Sequence, residues 1–336
     1  MKLREKLITA VLIFTAACAV ENVQPEIENE YPEDYPAQNE VMGTIADFFP
    51  FKENTALILE YEREPQKLEI FTAFVNENRI QRHLRFEGGV ISEATEVLEK
   101  DNGILRQIAF FNYFVFEDIT DIEPQIDIII LKEPLVVGTA WENPDNTVTI
   151  TACNVDIITP AGDFRTLEIT TVDNNNNVTV AYYAIGYGLI VYRDREIMQL
   201  TAIREGYFTV RRPLFFPDDM LMDLDTRVHD FLIHTDRSSV ELFNEALPLA
   251  IEDLNHTRVN SIEINREASL ITVDFDPGIL NINMGTSYEY LILRSLASTF
   301  GHFYNVSYFR ITLNGENYVS GHFWFDDDET IIVRYP

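Results

Sequence analysis

The predicted fold rests first on residues 166–183, which read Thr166-Leu167-Glu168-Ile169-Thr170-Thr171-Val172, then Asp173-Asn174-Asn175-Asn176-Asn177, then Val178-Thr179-Val180-Ala181-Tyr182-Tyr183. The first run alternates apolar and polar residues with period two, which is typical of a β-strand with one buried face. Asn and Asp tolerate left-handed backbone conformations, so the polar tip predicts a hairpin loop between two strands. A loop rich in Asp and Asn could bind calcium, but this one lacks the Gly and the distal Glu of an EF-hand loop. A plain turn is therefore the prediction.

Three further segments flank or overlap this hairpin. They are Pro134–Trp141 (PLVVGTAW), Thr159–Phe164 (TPAGDF) and Tyr182–Ile190 (YYAIGYGLI). In this order they resemble a domain common in bacterial surface lipoproteins, and Phe48–Lys52 resembles the opening segment of that domain. The family is functionally obscure, so the resemblance implies a fold and a location rather than an activity.

The aromatic residues of these segments have two interpretations. Trp141 is predicted to be a core aromatic, because a large ring buries much apolar area. The alternative is an aromatic platform that binds sugar, formed by Trp141, Tyr182, Tyr183 and Tyr187. Gly162, Gly186 and Gly188 are predicted to serve turns or close backbone approaches.

The first residues predict export. Basic residues at Lys2, Arg4 and Lys6 precede an apolar run, Leu7–Phe14, that is too short to span a bilayer but long enough for a signal-peptide core. Thr15-Ala16-Ala17-Cys18 follows and resembles a bacterial lipobox, although the family usually has Leu where Thr15 stands. The resemblance implies cleavage before Cys18 and a diacylglycerol on its thiol. The alternative is an ordinary secretory signal with Cys18 incidental.

Composition limits the partners. The formal net charge is −30, from 55 acidic and 25 basic residues, which argues against binding of nucleic acid or of anionic lipid headgroups. The stretch after Cys18 is rich in Glu and Pro, so an extended linker is expected there. The acidic excess, with Arg favoured over Lys, indicates an exported protein of a salt-loving or alkaliphilic host.

The last third of the chain resembles a second family. Its central stretch, Ile271–Gly315, contains a VDF strand, a glycine before a long helix, an LxxTF helix end and a VxxxxIxLNG strand and turn. These features are similar to the GerMN (sporulation and spore germination) domain. The resemblance implies a small α/β domain that serves protein assemblies in the cell envelope. Ser238-x-x-Glu241 and Thr286-x-x-Glu289 are predicted capping boxes at two helix starts.

Together these patterns predict the α+β class. A mostly antiparallel β domain is followed by a small two-layer α/β domain of the GerMN type. The predicted boundaries are a signal peptide at 1–17, the lipidated Cys and acidic linker at 18–44, the β domain at 45–212, a linker at 213–225 and the GerMN-like domain at 226–336.

The sequence contains no recognisable catalytic or metal-binding motif. None of the six histidines has a metal-ligand spacing, and nucleophile elbows, Walker loops and dinucleotide fingerprints are absent from the sequence. If Cys18 is lipidated, Cys153 is left alone, so neither an intrachain disulfide nor a cysteine-based zinc site is expected. No cofactor, no metal and no catalytic residue is therefore predicted.

The predicted function is that of a binding or assembly protein of the cell envelope. Lipid on Cys18 would hold it at the outer face of the cytoplasmic membrane, with an envelope protein as partner and no enzymatic activity. The GerMN resemblance implies a link to sporulation or germination. The alternative is a surface protein that binds or acts on carbohydrate, with cell-wall glycan as its ligand.

Overall fold

The computed structural model describes residues 42–88, 90–282 and 285–334. The predicted signal peptide, Cys18 and nearly all of the predicted linker lie outside the described residues. The described chain divides into two compact units. The first comprises residues 42–52, 57–112 and 119–204, and the second comprises residues 53–56, 113–118 and 205–334. Among the described residues, no helix combines the length and apolar character needed to cross a bilayer.

One large antiparallel sheet builds the first unit. Over the residues described, its strands are β1 (Thr55–Tyr61), β2 (Lys67–Val75), β3 (Arg79–Gly88), β4 (Val90–Asp101), β5 (Ile104–Phe111), β6 (Ile128–Lys132), β7 (Ala140–Asn143), β8 (Asn146–Thr159), β9 (Gly162–Asp173), β10 (Val178–Ala184), β11 (Gly188–Arg193) and β12 (Ile197–Glu205). Their order is β6-β5-β4-β3-β2-β1-β12-β11-β10-β9-β8-β7. The sheet is therefore two six-stranded meanders that meet where β1 pairs with β12.

The predicted hairpin at 166–183 is confirmed. Strands β9 and β10 pair in antiparallel register from Val178 opposite Val172 to Ala184 opposite Thr166. At the tip, one carboxylate oxygen of Asp173 accepts hydrogen bonds from the backbone N–H groups of Asn175 and Asn177, both at 2.8 Å. The carboxylate thus satisfies the turn backbone, so the acidic and amide side chains here serve the loop itself.

The two edge strands of the sheet come together, so the sheet nearly closes on itself. Side chains of β7 make this junction with β6. The Trp141 Nε1–H donates to the carbonyl oxygen of Ile129 at 3.0 Å. The amide of Asn143 accepts from the N–H of Ile129 at 2.8 Å and donates to its carbonyl at 3.1 Å. The prediction of Trp141 as a core aromatic is confirmed, since its residue is only 5% exposed.

The core of the first unit is closed by the short helix α1 (Ile45–Phe48) and the residue after it. Ile45, Phe48 and Phe49 are buried in the same apolar cluster as strand residues such as Leu59 and Ile190. The N–H of Ile45 donates to the Glu133 carboxylate at 2.7 Å. The opening segment of the described chain is therefore an integral part of this core.

The second unit combines two small sheets with two longer helices. Its elements in the described chain are β13 (Phe208–Pro217), β14 (Leu224–Ile233), α2 (Ser239–Ala250), β15 (Val259–Asn265), β16 (Leu270–Phe275), α3 (Thr286–Tyr304), β17 (Tyr308–Leu313), β18 (Glu316–Asn317) and β19 (Ile331–Ile332). Strands β13 and β14 form a long hairpin, whereas β16 pairs antiparallel with β15 and parallel with β17. Stacked phenylalanines join the helices, with the rings of Phe243 and Phe300 centred 4.1 Å apart.

The predicted α+β fold class is wrong. The structure is mostly β, with 50% strand and 16% helix, and a separate small two-layer α/β domain at 226–336 is not shown. The second unit begins earlier, at residue 205, and also takes in residues 113–118. Phe114 from that inserted segment packs against Phe208 and Phe303. Sequence periodicity reports local structure, so it could not show that these distant segments share one core.

The predicted linker and the two predicted capping boxes can be compared with the structure. The segment 213–225, predicted to be a linker, lies in the β13–β14 hairpin, because β13 runs to Pro217 and β14 starts at Leu224. The capping box at Ser238 is confirmed, with Glu241 as its reciprocal partner. The box at Thr286 is wrong, since Gly285 is the N-cap of α3 and makes no side-chain capping bond. Glu289 has other partners, described below.

Candidate functional site

An open cleft of about 400 Å³ lies at one end of the large sheet, within the first unit. Two of the motifs singled out in the sequence form its walls. The TPAGDF segment supplies the β8–β9 turn, and the YYAIGYGLI segment supplies the β10–β11 turn. The cleft is lined by Ala161, Gly162, Asp163, Phe164, Arg165, Ala184, Ile185, Tyr187 and Ile203.

The β8–β9 turn is held by the hydroxyl of Thr159 and by the backbone of β12. Thr159 pairs with Gly162 across the turn, and the N–H of Ala161 contacts both the Thr159 hydroxyl at 3.2 Å and the carbonyl of Leu200 at 3.3 Å. Gly162 has φ +142°, which a residue with a Cβ rarely adopts. The turn therefore presents Phe164 at a defined position on β9.

The β10–β11 turn is fixed by the opening segment of the described chain. The N–H of Gly186 donates to the carbonyl of Asp47 at 2.7 Å. Gly188 has φ +75°, and a Cβ there would lie 2.8 Å from the Phe49 ring. Phe49 in turn packs against Tyr183 at 5.9 Å. The predictions of turn and close-approach glycines are confirmed, since Gly188 needs both properties and Gly186 has φ +86°.

Apolar groups make up most of the cleft surface. The rings of Phe164 and Tyr187 meet edge to face, with centroids 5.5 Å apart, and Ile185 and Ile203 are exposed beside them. Charge is confined to Asp163 and Arg165, which are both exposed. Arg165 is 3.7 Å from Asp156, a weak surface pair. The cleft thus offers an apolar floor with a sparse, mixed charged rim.

The side chains that line the cleft are of kinds that recognise a ligand. The residues lining the cleft contribute no imidazole, thiol or aliphatic hydroxyl, and the Tyr187 phenol is the sole hydroxyl among their side chains. A nucleophile with an adjacent base, or a pair of acids flanking one bond, is the usual requirement for catalysis. An apolar cleft with a few polar groups at its edge is the usual form of a recognition site.

The four residues of the predicted aromatic platform do not share one exposed surface. Trp141, Tyr182 and Tyr183 are buried, and only Tyr187 is exposed, at 40%. The hydroxyl of Tyr182 donates to Glu168 at 2.8 Å, and burial raises the pKa of Tyr183 to about 12. The structure pairs Tyr187 instead with Phe164, which the sequence analysis did not single out. Its position two residues after the turn glycine was the available signal.

A second, smaller cavity of about 290 Å³ lies in the second unit, beside the start of α3. Glu289 lines it and is 2% exposed. Its carboxylate accepts from the Tyr318 hydroxyl at 2.8 Å and lies 2.7 Å from Nδ1 of His322. Burial alone would raise the pKa of Glu289, but hydrogen bonds from Ser320, His322 and Tyr318 outweigh it and lower that pKa.

The Glu289 cluster fastens the 318–322 loop to α3. The Ser320 hydroxyl accepts the N–H groups of His322 and Phe323, at 3.1 and 2.9 Å. The same hydroxyl lies 3.3 Å from the carbonyl oxygen of Phe323, so Ser320 contributes to the turn as well as to the Glu289 cluster. Throughout the described residues, no group of three or more His, Cys, Asp or Glu is placed to hold a metal ion. The contacts of this cluster hold the 318–322 loop against α3.

No protein-family model, no curated protein and no solved structure matches this chain. The resemblances to the surface-lipoprotein domain and to the GerMN domain therefore stay predictions, and the fold implied by the latter is corrected above.

Proposed function

We propose that this chain is an extracytoplasmic, lipid-anchored binding protein whose cleft in the first unit holds an envelope protein. The observation that carries the proposal is the convergence of the TPAGDF and YYAIGYGLI turns around an open apolar cleft. The Ala16-Ala17-Cys18 motif and the short apolar run before it support export and lipid attachment at the outer face of the cytoplasmic membrane.

The lining of the cleft favours an apolar side chain of a partner protein as the bound group. Phe164, Ile185, Tyr187 and Ile203 supply side chains of the kind that anchor protein interfaces. Burying a large apolar side chain in such a cleft contributes roughly 1.5–3 kcal/mol. In protein interfaces a few such anchors carry most of the binding energy when the surrounding rim excludes water.

A second candidate ligand is cell-wall glycan. One observation favours it: the exposed ring of Tyr187 lies in the same cleft as Asp163 and Arg165. Sugars are commonly bound by an aromatic face together with charged hydrogen-bonding groups. The aliphatic side chains of Ile185 and Ile203 offer no hydrogen bonds to sugar hydroxyls, so the protein partner remains the first proposal.

The test places a photo-reactive amino acid at Tyr187 of the full chain in its native membranes. The matched control has the same group at Val178, which is 56% exposed on β10 but does not line the cleft. A protein adduct at Tyr187 and not at Val178, abolished by Ile203→Ser, supports the proposal. Glycan adducts at Tyr187, with retention on purified cell wall, support the second candidate. Equal labelling at both positions would remove the cleft from consideration.

Attachment at Cys18 is tested separately, because it lies outside the described residues. Cells fed a radiolabelled fatty acid should label the native chain, and Cys18→Ala should abolish the label and release the protein from the membrane. A Cys18→Ala protein that keeps its label and stays in the membrane fraction would contradict the lipobox interpretation.

A further inference from the structure

The turn of the β13–β14 hairpin displays three consecutive large apolar side chains. Met220 and Met222 are each 79% exposed, and Leu221 between them is 46% exposed. The stretch belongs to the second unit and has no part in the cleft of the first unit. Contiguous exposed apolar side chains are uncommon on soluble surfaces and usually mark a site of interaction.

This turn is held in a defined conformation. Asp218 organises it: its carboxylate accepts the N–H of Met222 at 2.7 Å, and its carbonyl accepts the N–H of Leu221 at 3.0 Å. The N–H of Asp218 donates to the carbonyl of Asp223 at 2.9 Å. Asp223 is also paired with Arg294 of α3 at 3.1 Å. The apolar side chains are therefore presented on a braced turn, which lowers the ordering cost of binding.

Leu221 occupies a backbone conformation that does not suit it. Its φ of +52° lies in the left-handed region, which costs a bulky residue energy that Gly or Asn would avoid. The other non-glycine residues with positive φ in the described chain are Asn or Ser. A turn selected only for stability would carry Asn or Gly at this position. Strain kept at an exposed turn is a feature of sites that bind.

Acidic residues surround the apolar side chains. Asp218, Asp219, Asp223 and Asp225 flank them on both sides, and all four are exposed or half-exposed at the end of the hairpin. Such a surface is repelled by anionic lipid headgroups. It is also repelled by a second copy of this chain, whose net charge is −30. It is complementary to an apolar pocket whose rim carries Lys or Arg.

We infer that residues 218–225 form a docking element that inserts Met220, Leu221 and Met222 into an apolar pocket, rimmed by basic side chains, on a different protein. Methionine suits this role because its flexible, polarisable side chain adapts to irregular pockets. The element is independent of the cleft proposed above and adds a second interaction surface to the chain.

The experiment begins with photo-crosslinking from Met222 of the full chain in native membranes. The control position is Arg227, exposed on β14 of the same hairpin. A protein that is trapped from position 222 and not from position 227 is then purified. Its affinity for the full chain is measured by calorimetry. We expect Leu221→Gly to weaken binding about tenfold or more while leaving the melting temperature unchanged or raised. Asp219→Asn should weaken binding, because it removes a charge that attracts the basic rim. For the same reason, 0.5 M NaCl should weaken binding of the native chain.

The outcomes separate this inference from the cleft proposal. Ile203→Ser, a cleft variant, should bind the captured protein normally. Binding lost in Ile203→Ser but kept in Leu221→Gly would overturn the docking element and support the cleft. Adducts only with lipid, or only with another copy of this chain, would also overturn it. A Leu221→Gly protein that is markedly less stable would show that the conformation at Leu221 is structural.

Discussion

Buried charges in the first unit show how single residues limit its stability. Arg82 of β3 donates from Nε to Glu96 of β4 at 2.8 Å, and Gln107 donates to the other carboxylate oxygen at 2.6 Å. The side chain of Glu96 is 3% exposed. A charge removed from water this far is tolerated only while its partners are present.

We predict that Arg82→Met lowers the free energy of unfolding by roughly 3–5 kcal/mol, because Glu96 is left buried and unpaired. The double variant Arg82→Met/Glu96→Gln should lose much less than the sum of the two single variants. Urea unfolding measures both quantities. Arg165→Met, which removes a surface pair with Asp156, is the control and should change the free energy by less than about 1 kcal/mol. Additive losses would mean that the pair is not coupled.

His83 on β3 is a second buried titratable residue. It is 1% exposed, stacks on Phe71 at 6.3 Å, and has Nδ1 3.2 Å from the Thr95 hydroxyl. Burial lowers the pKa of His83 to about 3. The imidazole is therefore neutral in the folded protein at neutral pH.

This lowered pKa predicts acid sensitivity. The unfolded chain binds a proton at His83 below about pH 6.5, whereas the folded chain does so only near pH 3, so stability falls as the pH falls through this window. Between pH 6.5 and 5 the loss from this residue should be about 2 kcal/mol. His83→Gln should show a shallower slope over that range in unfolding measurements. Identical slopes for the two proteins would contradict the assignment.

At the scale of elements, the contact between β6 and β7 brings the two edges of the large sheet together. The side chains of Trp141 and Asn143 donate to the carbonyl oxygen of Ile129, and the Ile129 N–H donates to the side-chain oxygen of Asn143. These side chains satisfy the backbone groups of Ile129, which would otherwise be edge groups open to another strand.

We expect Asn143→Ala to lower the free energy of unfolding by roughly 1–3 kcal/mol, because the N–H of Ile129 loses its acceptor. Amide exchange at Ile129 should accelerate more than exchange in the middle of β9. Thr151→Ala, which removes an exposed hydrogen bond to Glu168, is the control and should have little effect on either measurement. Unchanged exchange at Ile129 would show that the junction does not depend on Asn143.

At the scale of the whole molecule, net charge opposes folding. The chain has 55 acidic and 25 basic residues, so its net charge stays at −30 even if every basic side chain forms an ion pair. Repulsion among exposed carboxylates destabilises the compact state and keeps copies of the chain apart.

Salt should therefore raise the melting temperature of this protein. We predict that most of the rise occurs below about 0.2 M NaCl, because the screening length is already about 10 Å at 0.1 M. Scanning calorimetry at several NaCl concentrations measures it. A melting temperature that rises linearly up to 2 M NaCl would indicate exclusion of salt from the protein surface rather than screening. A melting temperature that decreases as NaCl is raised to 0.2 M would mean that ion pairs outweigh the repulsion.

Local patterns in the sequence predicted local structure well. Alternation and an Asp/Asn tip predicted the β9–β10 hairpin, and Ser238 with Glu241 predicted the start of α2. The same reasoning failed at Glu289, where the spacing from Thr286 suited a capping box. The carboxylate of Glu289 contacts Tyr318 and His322 instead of the start of the helix, and neither residue is near Glu289 in sequence.

Neighbouring residues and composition are enough to predict the strand-rich first half, the hairpin turns, the acidic surface and the motif at Cys18. The near-closure of the sheet, the cleft between two motif turns and the exposure of Met220 and Met222 become visible only in the folded protein. Each of these depends on which distant segments share a core. Packing between residues far apart in the chain sets that choice, and no local pattern encodes it.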